Sequence, residues 1–236
     1  MTTPFDPAAV RSYLYVPAAD PDRVAAAFDN DADAVVFDLE DLTPPDQKPL
    51  GRKLVGEVVA GTPPKPVLVR INSLRAGVLA EDLDAIVGPG LAAVRVPKSE
   101  NPDDIRTIAR ELDRRRAERG IVKVIGLQVM VETAAGVLAG PQLARATHLV
   151  ESIGLGEGDL KRDLATTTDE GLFASRAQIV LAARAAGLPG PVQVTFPPGG
   201  TLEELRASTE LGRSLGYASR TLLNPDHIPL VNEIYG

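Results

Sequence analysis

IGLQVMVE, residues 125–132, sorts its side chains by parity: Leu127, Val129 and Val131 share one face, and Gln128, Met130 and Glu132 share the other. A period of two is the signature of a β-strand. The same division recurs upstream. In AVVFDLE (34–40), Val35, Phe37 and Leu39 oppose Val36, Asp38 and Glu40; in VLVRIN (67–72), Val67, Val69 and Ile71 oppose Leu68, Arg70 and Asn72. In AAVRVPK (92–98), Val94 and Val96 oppose Ala93 and Arg95. Each run therefore has an apolar face suited to packing under helices and a second face that carries charge. SYLYVP (12–17), HLVESIGLG (148–156), VQVTF (192–196) and TLLN (221–224) are four further β-rich runs, which brings the count to eight.

Helix-compatible stretches separate these runs, among them DQKPLGRKLVGEVVAG, NPDDIRTIARELDRRRAERG and LFASRAQIVLAARAAG. Several begin at Pro, Asp or Asn and end at Gly, the residues that helix termini prefer. Strictly alternating strands and helices argue for a parallel sheet, and eight units argue for closure into a (β/α)8 barrel, with an open doubly wound sheet as the alternative. The 236 residues suit the roughly 250 that one such barrel uses. One α/β domain spanning 1–236 is expected, because no low-complexity linker, fixed-period repeat or long charge run interrupts the pattern. The proline- and glycine-rich segments TPPDQKPLG (43–51) and TFPPGGTLEE (195–204) follow strand ends, where barrels keep their functional loops.

Composition removes several classes of function. With no cysteine and only His148 and His227, a bound metal must be held mainly by oxygen ligands, which points to magnesium, manganese or calcium. A formal charge of −7 and the lack of a basic stripe argue against a nucleic-acid partner. No apolar run approaches the 18 or so residues of a membrane span. MTTPFDPAAVRS lacks the basic-then-apolar pattern of a secretory leader, so a cytoplasmic protein is expected.

Ionisable side chains inside a barrel are costly unless they pair or bind a ligand. Asp38 and Arg95 are expected to lie deep, in an ion network with Arg70 that fills the barrel. Glu40, Asn72 and Glu132 close their strands, where this fold builds its sites, and Arg70 sits a layer below. After the sixth strand, GLGEGDL (154–160) places Asp159 in a glycine-rich turn from which it could meet Glu132. Two carboxylates with open positions for water and substrate suit magnesium. A dinucleotide-binding reading of the same turn fails, because the third glycine of G-x-G-x-x-G would fall on Asp159.

RSYLYVP, ADAVVFDLEDLTPPDQK, VLVRINS, VRVPKSE, QVMVETAAGV, GLGEGDL and LLNPDHIPLVNEIY, taken together and in order, resemble the citrate lyase β-subunit-like family, which groups with the HpcH/HpaI aldolases and malyl-CoA lyases. The resemblance implies a TIM barrel of the phosphoenolpyruvate/pyruvate-binding type. It also implies Mg²⁺, with Mn²⁺ as a substitute, held by Glu132 and Asp159. Arg70 would grip a substrate carboxylate or oxo group by two points, with Glu40 and Asp41 lining the same pocket as catalytic candidates. Lys98 and the main chain at Gly158, within the Gly156–Asp159 turn, would add substrate contacts; Lys48 and Arg52 also match family positions. The implied chemistry is carbon–carbon cleavage or formation on a short hydroxyacyl-CoA or 2-oxo acid adduct. The alternatives are a CoA-independent aldolase, hydrolase or synthase using the same metal site, or a non-catalytic 2-oxo acid-binding subunit. Partners would be small carboxylates or acyl-CoA, in a homotrimer or homohexamer. The chain departs from the family in reaching Gly236 without the carboxyl-terminal lid of malyl-CoA lyases, in Gln193 where an aspartate is common, and in Ser219-Arg220 for the usual Gly-Lys. These departures are expected to fall on the thioester and acid–base side of the site.

Overall fold

A computed structural model describes residues 5–197 and 199–236; the first four residues of the amino-terminal stretch and Pro198 of the TFPPGGTLEE segment lie outside it. Eight parallel strands close in chain order: β1 (Ser12–Pro17), β2 (Ala34–Asp38), β3 (Val67–Arg70), β4 (Leu91–Val96), β5 (Gly126–Val131), β6 (Val150–Leu155), β7 (Val192–Gln193) and β8 (Ser219–Leu222). The ring is sealed by Ser12, Tyr13 and Leu14 pairing with Arg220, Thr221 and Leu222. Around it run α1 (Pro21–Ala25), α2 (Lys48–Ala60), α3 (Leu79–Ile86), α4 (Pro102–Glu118), α5 (Ala134–Leu143), α6 (Glu157–Asp163), α7 (Phe173–Ala185), α8 (Leu202–Leu215) and α9 (Ile228–Tyr235). The barrel, not the open sheet, is the architecture.

The parity of the strands accounts for the two cores. Val35, Phe37, Leu39, Val67, Val69, Ile71, Val94, Val96, Leu127, Val129 and Val131 pack outward in one cluster with Val55 and Val59 of α2, Leu83 and Ile86 of α3, and Ile105, Ile108 and Leu112 of α4. Burying each such side chain contributes roughly 1.5–3 kcal/mol. A smaller interior cluster holds Tyr13, Tyr15, Ala34, Val36, Leu68, Ala93 and Val192. Helix starts follow the expected chemistry. Asn101 accepts from the Asp103 amide ahead of α4, with Pro102 at the first helical position, and Thr201 and Glu204 form a reciprocal capping box on α8.

Most strands end before the runs expected, β2 at Asp38 and β3 at Arg70, which leaves Glu40 and Asn72 beyond their strands, and two elements differ further. β7 is only Val192–Gln193 rather than 192–196, and β8 begins two residues before the expected Thr221 and ends at Leu222. The chain leaves β8 early because the Asn224 side chain turns to accept the Asp226 amide at 3.0 Å, starting the helical turn that leads into α9. A second correction follows from parity. Val192 and Thr221 point into the barrel, so Gln193 and Arg220 point out. Gln193 donates to the Ser208 carbonyl (2.7 Å) and accepts from the Tyr235 hydroxyl (2.9 Å), while Arg220 donates to Thr209 Oγ1 (2.7 Å) and Ser208 Oγ (3.1 Å). These departures from the family pattern lie under α8 and α9, behind the sheet, and not on the acid–base side of a site at the barrel mouth.

Candidate active site at the barrel mouth

The mouth is organised from below by Asp38. Its side chain is fully buried and accepts from the Glu40 amide (2.8 Å), the Leu42 amide (2.9 Å) and Arg70 Nε (2.8 Å), with Arg70 Nη2 on its second oxygen. An aspartate that captures the amide two residues ahead folds its own chain into a turn. Here that turn, closed further by the Thr43 hydroxyl on the Asp38 carbonyl at 2.6 Å, projects Glu40 and Asp41 over the strand ends. Asp38 and Arg70 are register partners on β2 and β3, so their pairing follows directly from the sheet.

Arg70 is consequently committed. Its guanidinium lies 4.9 Å from the Tyr15 ring centroid, and the two-point edge expected to hold substrate is taken by Asp38. What it offers the mouth is Nη1, 3.0 Å from Glu40 Oε2 and 3.4 Å from Asp41 Oδ2. The expected three-member ion network is also revised. Arg95, fully buried, has neutral partners instead: Gln128 Oε1 at 2.9 and 3.1 Å, Thr221 Oγ1 at 3.1 Å, and the rings of Tyr13 and Tyr15 at 4.9 and 5.2 Å. Arg70 and Arg95 are register partners on β3 and β4, and Asp38, on β2, pairs with Arg70, its direct neighbour in the sheet.

Lys98 joins the two halves of the mouth. Its Nζ is 2.7 Å from Glu40 Oε1, 3.3 Å from Asp41 Oδ1 and 4.0 Å from Asp159 Oδ2. Its backbone φ of 49° lies in the left-handed region, which costs a non-glycine residue of order 1 kcal/mol and persists where surroundings enforce it. Glu40 and Asp41 thus face both Arg70 and Lys98. Lys48 reaches Asn72 Oδ1 at the end of β3. Arg52 is instead absorbed in support: its Nε meets Asp82 Oδ1 at 2.8 Å, while Asp82 Oδ2 accepts from the Asn72 amide (2.8 Å) and Nδ2 (2.9 Å).

Glu132 is the first residue beyond β5 and is 5% exposed. Burial, reinforced by the Glu40 charge and opposed by Arg70 and by the amide and charge of Lys98, pushes its carboxyl up to about 7. Among the described residues it forms no ion pair within 4 Å, so its charge lacks a close cation. Asp159 stands in α6, not in an irregular glycine turn. Gly156 is the cap, Glu157 and Asp159 occupy the first turn, and Lys161 and Arg162 the last; acids near the amino end and bases near the carboxyl end favour helix through the backbone dipole. Gly158 has open space around its α-carbon, whereas a Cβ on Gly156 would come within 2.6 Å of Glu132 Cγ. The Gly156 amide donates to the Val131 carbonyl at 2.7 Å, which sets α6 beside the end of β5 and brings the two candidate ligands to one side of the mouth.

No cluster of three or more His, Cys, Asp or Glu suited to a metal occurs among the described residues. Magnesium does not need one, because it keeps several waters and takes one or two protein carboxylates together with substrate oxygens. Glu132, a buried carboxylate without a close ion-pair partner, fits that donor requirement, while the second candidate, Asp159, is paired with Arg162 and lies 4.0 Å from Lys98 Nζ. Sequence reasoning missed Asp38 as organiser, Asp82 as support for Asn72, Tyr15 under Arg70, and the buried Glu157, whose partner is Arg176. For Asp38 a signal existed, since register pairing of parallel strands sets it against Arg70.

The family described as HpcH/HpaI aldolase/citrate lyase matches residues 11–225. The citrate lyase subunit beta of Escherichia coli (strain K12) is 30% identical over 233 residues, covering 95% of this chain and 76% of that protein. A (3S)-malyl-CoA thioesterase of Cereibacter sphaeroides (strain ATCC 17025 / ATH 2.4.3) is 27% identical over 230 residues, with the same coverage. The solved citrate lyase beta subunit of M. tuberculosis, complexed with oxaloacetate and magnesium, superposes with a TM-score of 0.81 at 26% identity over 97% of this chain and 98% of that one.

Proposed function

The chain belongs to the HpcH/HpaI aldolase/citrate lyase family, a family of lyases, and from that premise we propose that it breaks or forms a carbon–carbon bond in a short hydroxyacyl-CoA or 2-oxo acid adduct, with Mg²⁺ held by Glu132 and Asp159. The observation that carries the reading is Glu132: a buried carboxylate without a close ion-pair partner just beyond the carboxyl end of its strand, with the Lys98 amide beside it and the Arg70 charge near enough to act on it. Mn²⁺ would serve in the same donor set. When bound, the ion supplies Lewis acidity toward a substrate carboxylate and the oxygen next to it. Arg70 Nη1 and Lys98 Nζ offer positive charge to the same oxygens. A charge-assisted contact of this kind is about twice as strong as a neutral one. Cleavage requires that a hydroxyl proton leave as the carbonyl forms and that the departing carbon be protonated. Glu40 and Asp41, held over the strand ends by Asp38, would exchange those protons. Gly158, in the first turn of α6 and with open space about its α-carbon, would add a main-chain polar contact. A homotrimer or homohexamer is part of the same proposal.

The test is turnover of malyl-, citramalyl- and hydroxymethylglutaryl-CoA, and of the corresponding free acids, by purified protein with Mg²⁺ and with EDTA. Metal-dependent release of a 2-oxo acid or of acetyl-CoA is expected. Release of CoA without a carbon fragment would instead favour a hydrolase, as the similarity to (3S)-malyl-CoA thioesterase makes worth measuring. Turnover of free acids alone would select a CoA-independent enzyme, and inactivity throughout would refute the lyase reading.

A further inference from the structure

α6 has seven residues, far fewer than a helix needs to persist in water by itself. Its direction, and so the position of Asp159, must be imposed by its surroundings. Two ties do this. At its first residue, Glu157 is buried and accepts both Arg176 Nε at 2.7 Å and Nη2 at 2.6 Å. This is a fork-to-carboxylate pair with α7, and such pairs fix orientation as well as distance. Arg176 is itself held by Asp169 Oδ2 at 3.1 Å, and Asp169 accepts from Lys161 of α6 at 2.6 Å. At the last residue, Asp163 Oδ2 accepts the Ala134 amide at 2.7 Å, two residues beyond Glu132.

At 100° per residue, Glu157 and Asp159 point to opposite sides of the helix. One carboxylate is gripped at the back while the other is presented at the front. We infer that Glu157 and Arg176 are positioning residues that hold α6 at the angle at which Asp159 and Glu132 can share a divalent cation. This inference rests on the Mg²⁺ site proposed above.

The test measures Mg²⁺ affinity by titration calorimetry, and Mn²⁺ uptake by electron paramagnetic resonance, in the wild type, Glu157→Gln, Asp163→Ala and Val59→Ala. Val59 is buried on α2, away from α6, and its truncation supplies a matched loss of stability. Glu157→Gln is expected to weaken metal binding about tenfold or more, the usual scale for residues that orient a ligand, whereas Val59→Ala leaves it unchanged at a similar loss of Tm. Asp163 is exposed and its replacement leaves the core intact, so a several-fold weakening in Asp163→Ala carries the test if Glu157→Gln does not fold. Wild-type affinity in both α6 variants overturns the positioning role alone. A wild-type protein that binds neither ion overturns the metal site and this inference together.

Discussion

Glu132→Gln separates the stability of the mouth from its function. The wild-type carboxyl titrates at about 7 in the folded protein against an ordinary 4.5, because folding removes it from water and sets it near Glu40. A carboxyl raised in this way adds to stability while it is protonated, fully so below pH 4.5, and the contribution is lost as pH rises to 7. At pH 8 the folded chain therefore carries a penalty of roughly 3 kcal/mol, from about 2.5 pH units at 1.36 kcal/mol each. Glutamine keeps the shape and never ionises. Without metal, Glu132→Gln is expected to be more stable than the wild type at pH 8 by up to about 3 kcal/mol, a Tm rise on the order of 5–10 °C for a chain of this size. At pH 5 the gap should shrink to about 1 kcal/mol. Mg²⁺ reverses the ranking of benefit: at a hundred times its Kd the ion adds about 2.7 kcal/mol to the wild type and nothing to the variant. Thermal and urea unfolding at both pH values, with EDTA and with Mg²⁺, give all the terms. A variant less stable than the wild type at pH 8 without metal, or one that still gains from Mg²⁺, would show that Glu132 is neither an uncompensated buried charge nor a metal ligand.

Arg70→Lys retains a charge but cannot match both Asp38 oxygens; a loss of about 1–3 kcal/mol in urea unfolding with at least a hundredfold fall in kcat/KM is expected, and unchanged stability would mean that Asp38 does not depend on the fork. Gly156→Ala is compatible with a φ of −89°, yet its Cβ would lie 2.6 Å from Glu132 Cγ. Mg²⁺ affinity should therefore drop about tenfold in a protein that still folds, and wild-type affinity would refute the contact. At the opposite end of the barrel, burial and the nearby Asp6 push Glu151 up to about 8, and its Oε1 has no hydrogen-bond partner. The contribution of the protonated carboxyl disappears as pH rises through 8, so Glu151→Gln should stabilise the protein at pH 9 by about 2 kcal/mol after allowance for residual solvent contact and hardly at pH 5; an equal effect at both values would exclude ionisation as its cause.

The barrel was legible because its evidence is local. Parity along IGLQVMVE and VLVRIN follows from the pleat of each strand, and eight strands alternating with helices, four of them with a clear apolar face to cover, leave few arrangements other than closure. The same reasoning placed Glu40, Asn72 and Glu132 at strand ends, and the family resemblance placed Asp159 beside them. Applied to VQVTF, the same rule would have turned Gln193 and Thr195 inward; the structure instead sends Val192 into the barrel and Gln193 out under α8 and α9. The tertiary structure decided which charges meet. Arg70 gives its fork to Asp38, Arg95 is held by tyrosine rings and Gln128 in place of an acid, and the buried Asp82 of α3 supports Asn72. GLGEGDL reads as a turn because two of its residues around Glu157 are glycines. It becomes helix because Arg176, nineteen residues away, captures Glu157 from behind. Side-chain alternation is a property of the strand itself, so the sequence determines it where an apolar face is clear, as in 125–132, and not in the short β7. Ion pairing depends on distances between segments remote in the chain, and only the closed barrel sets those distances.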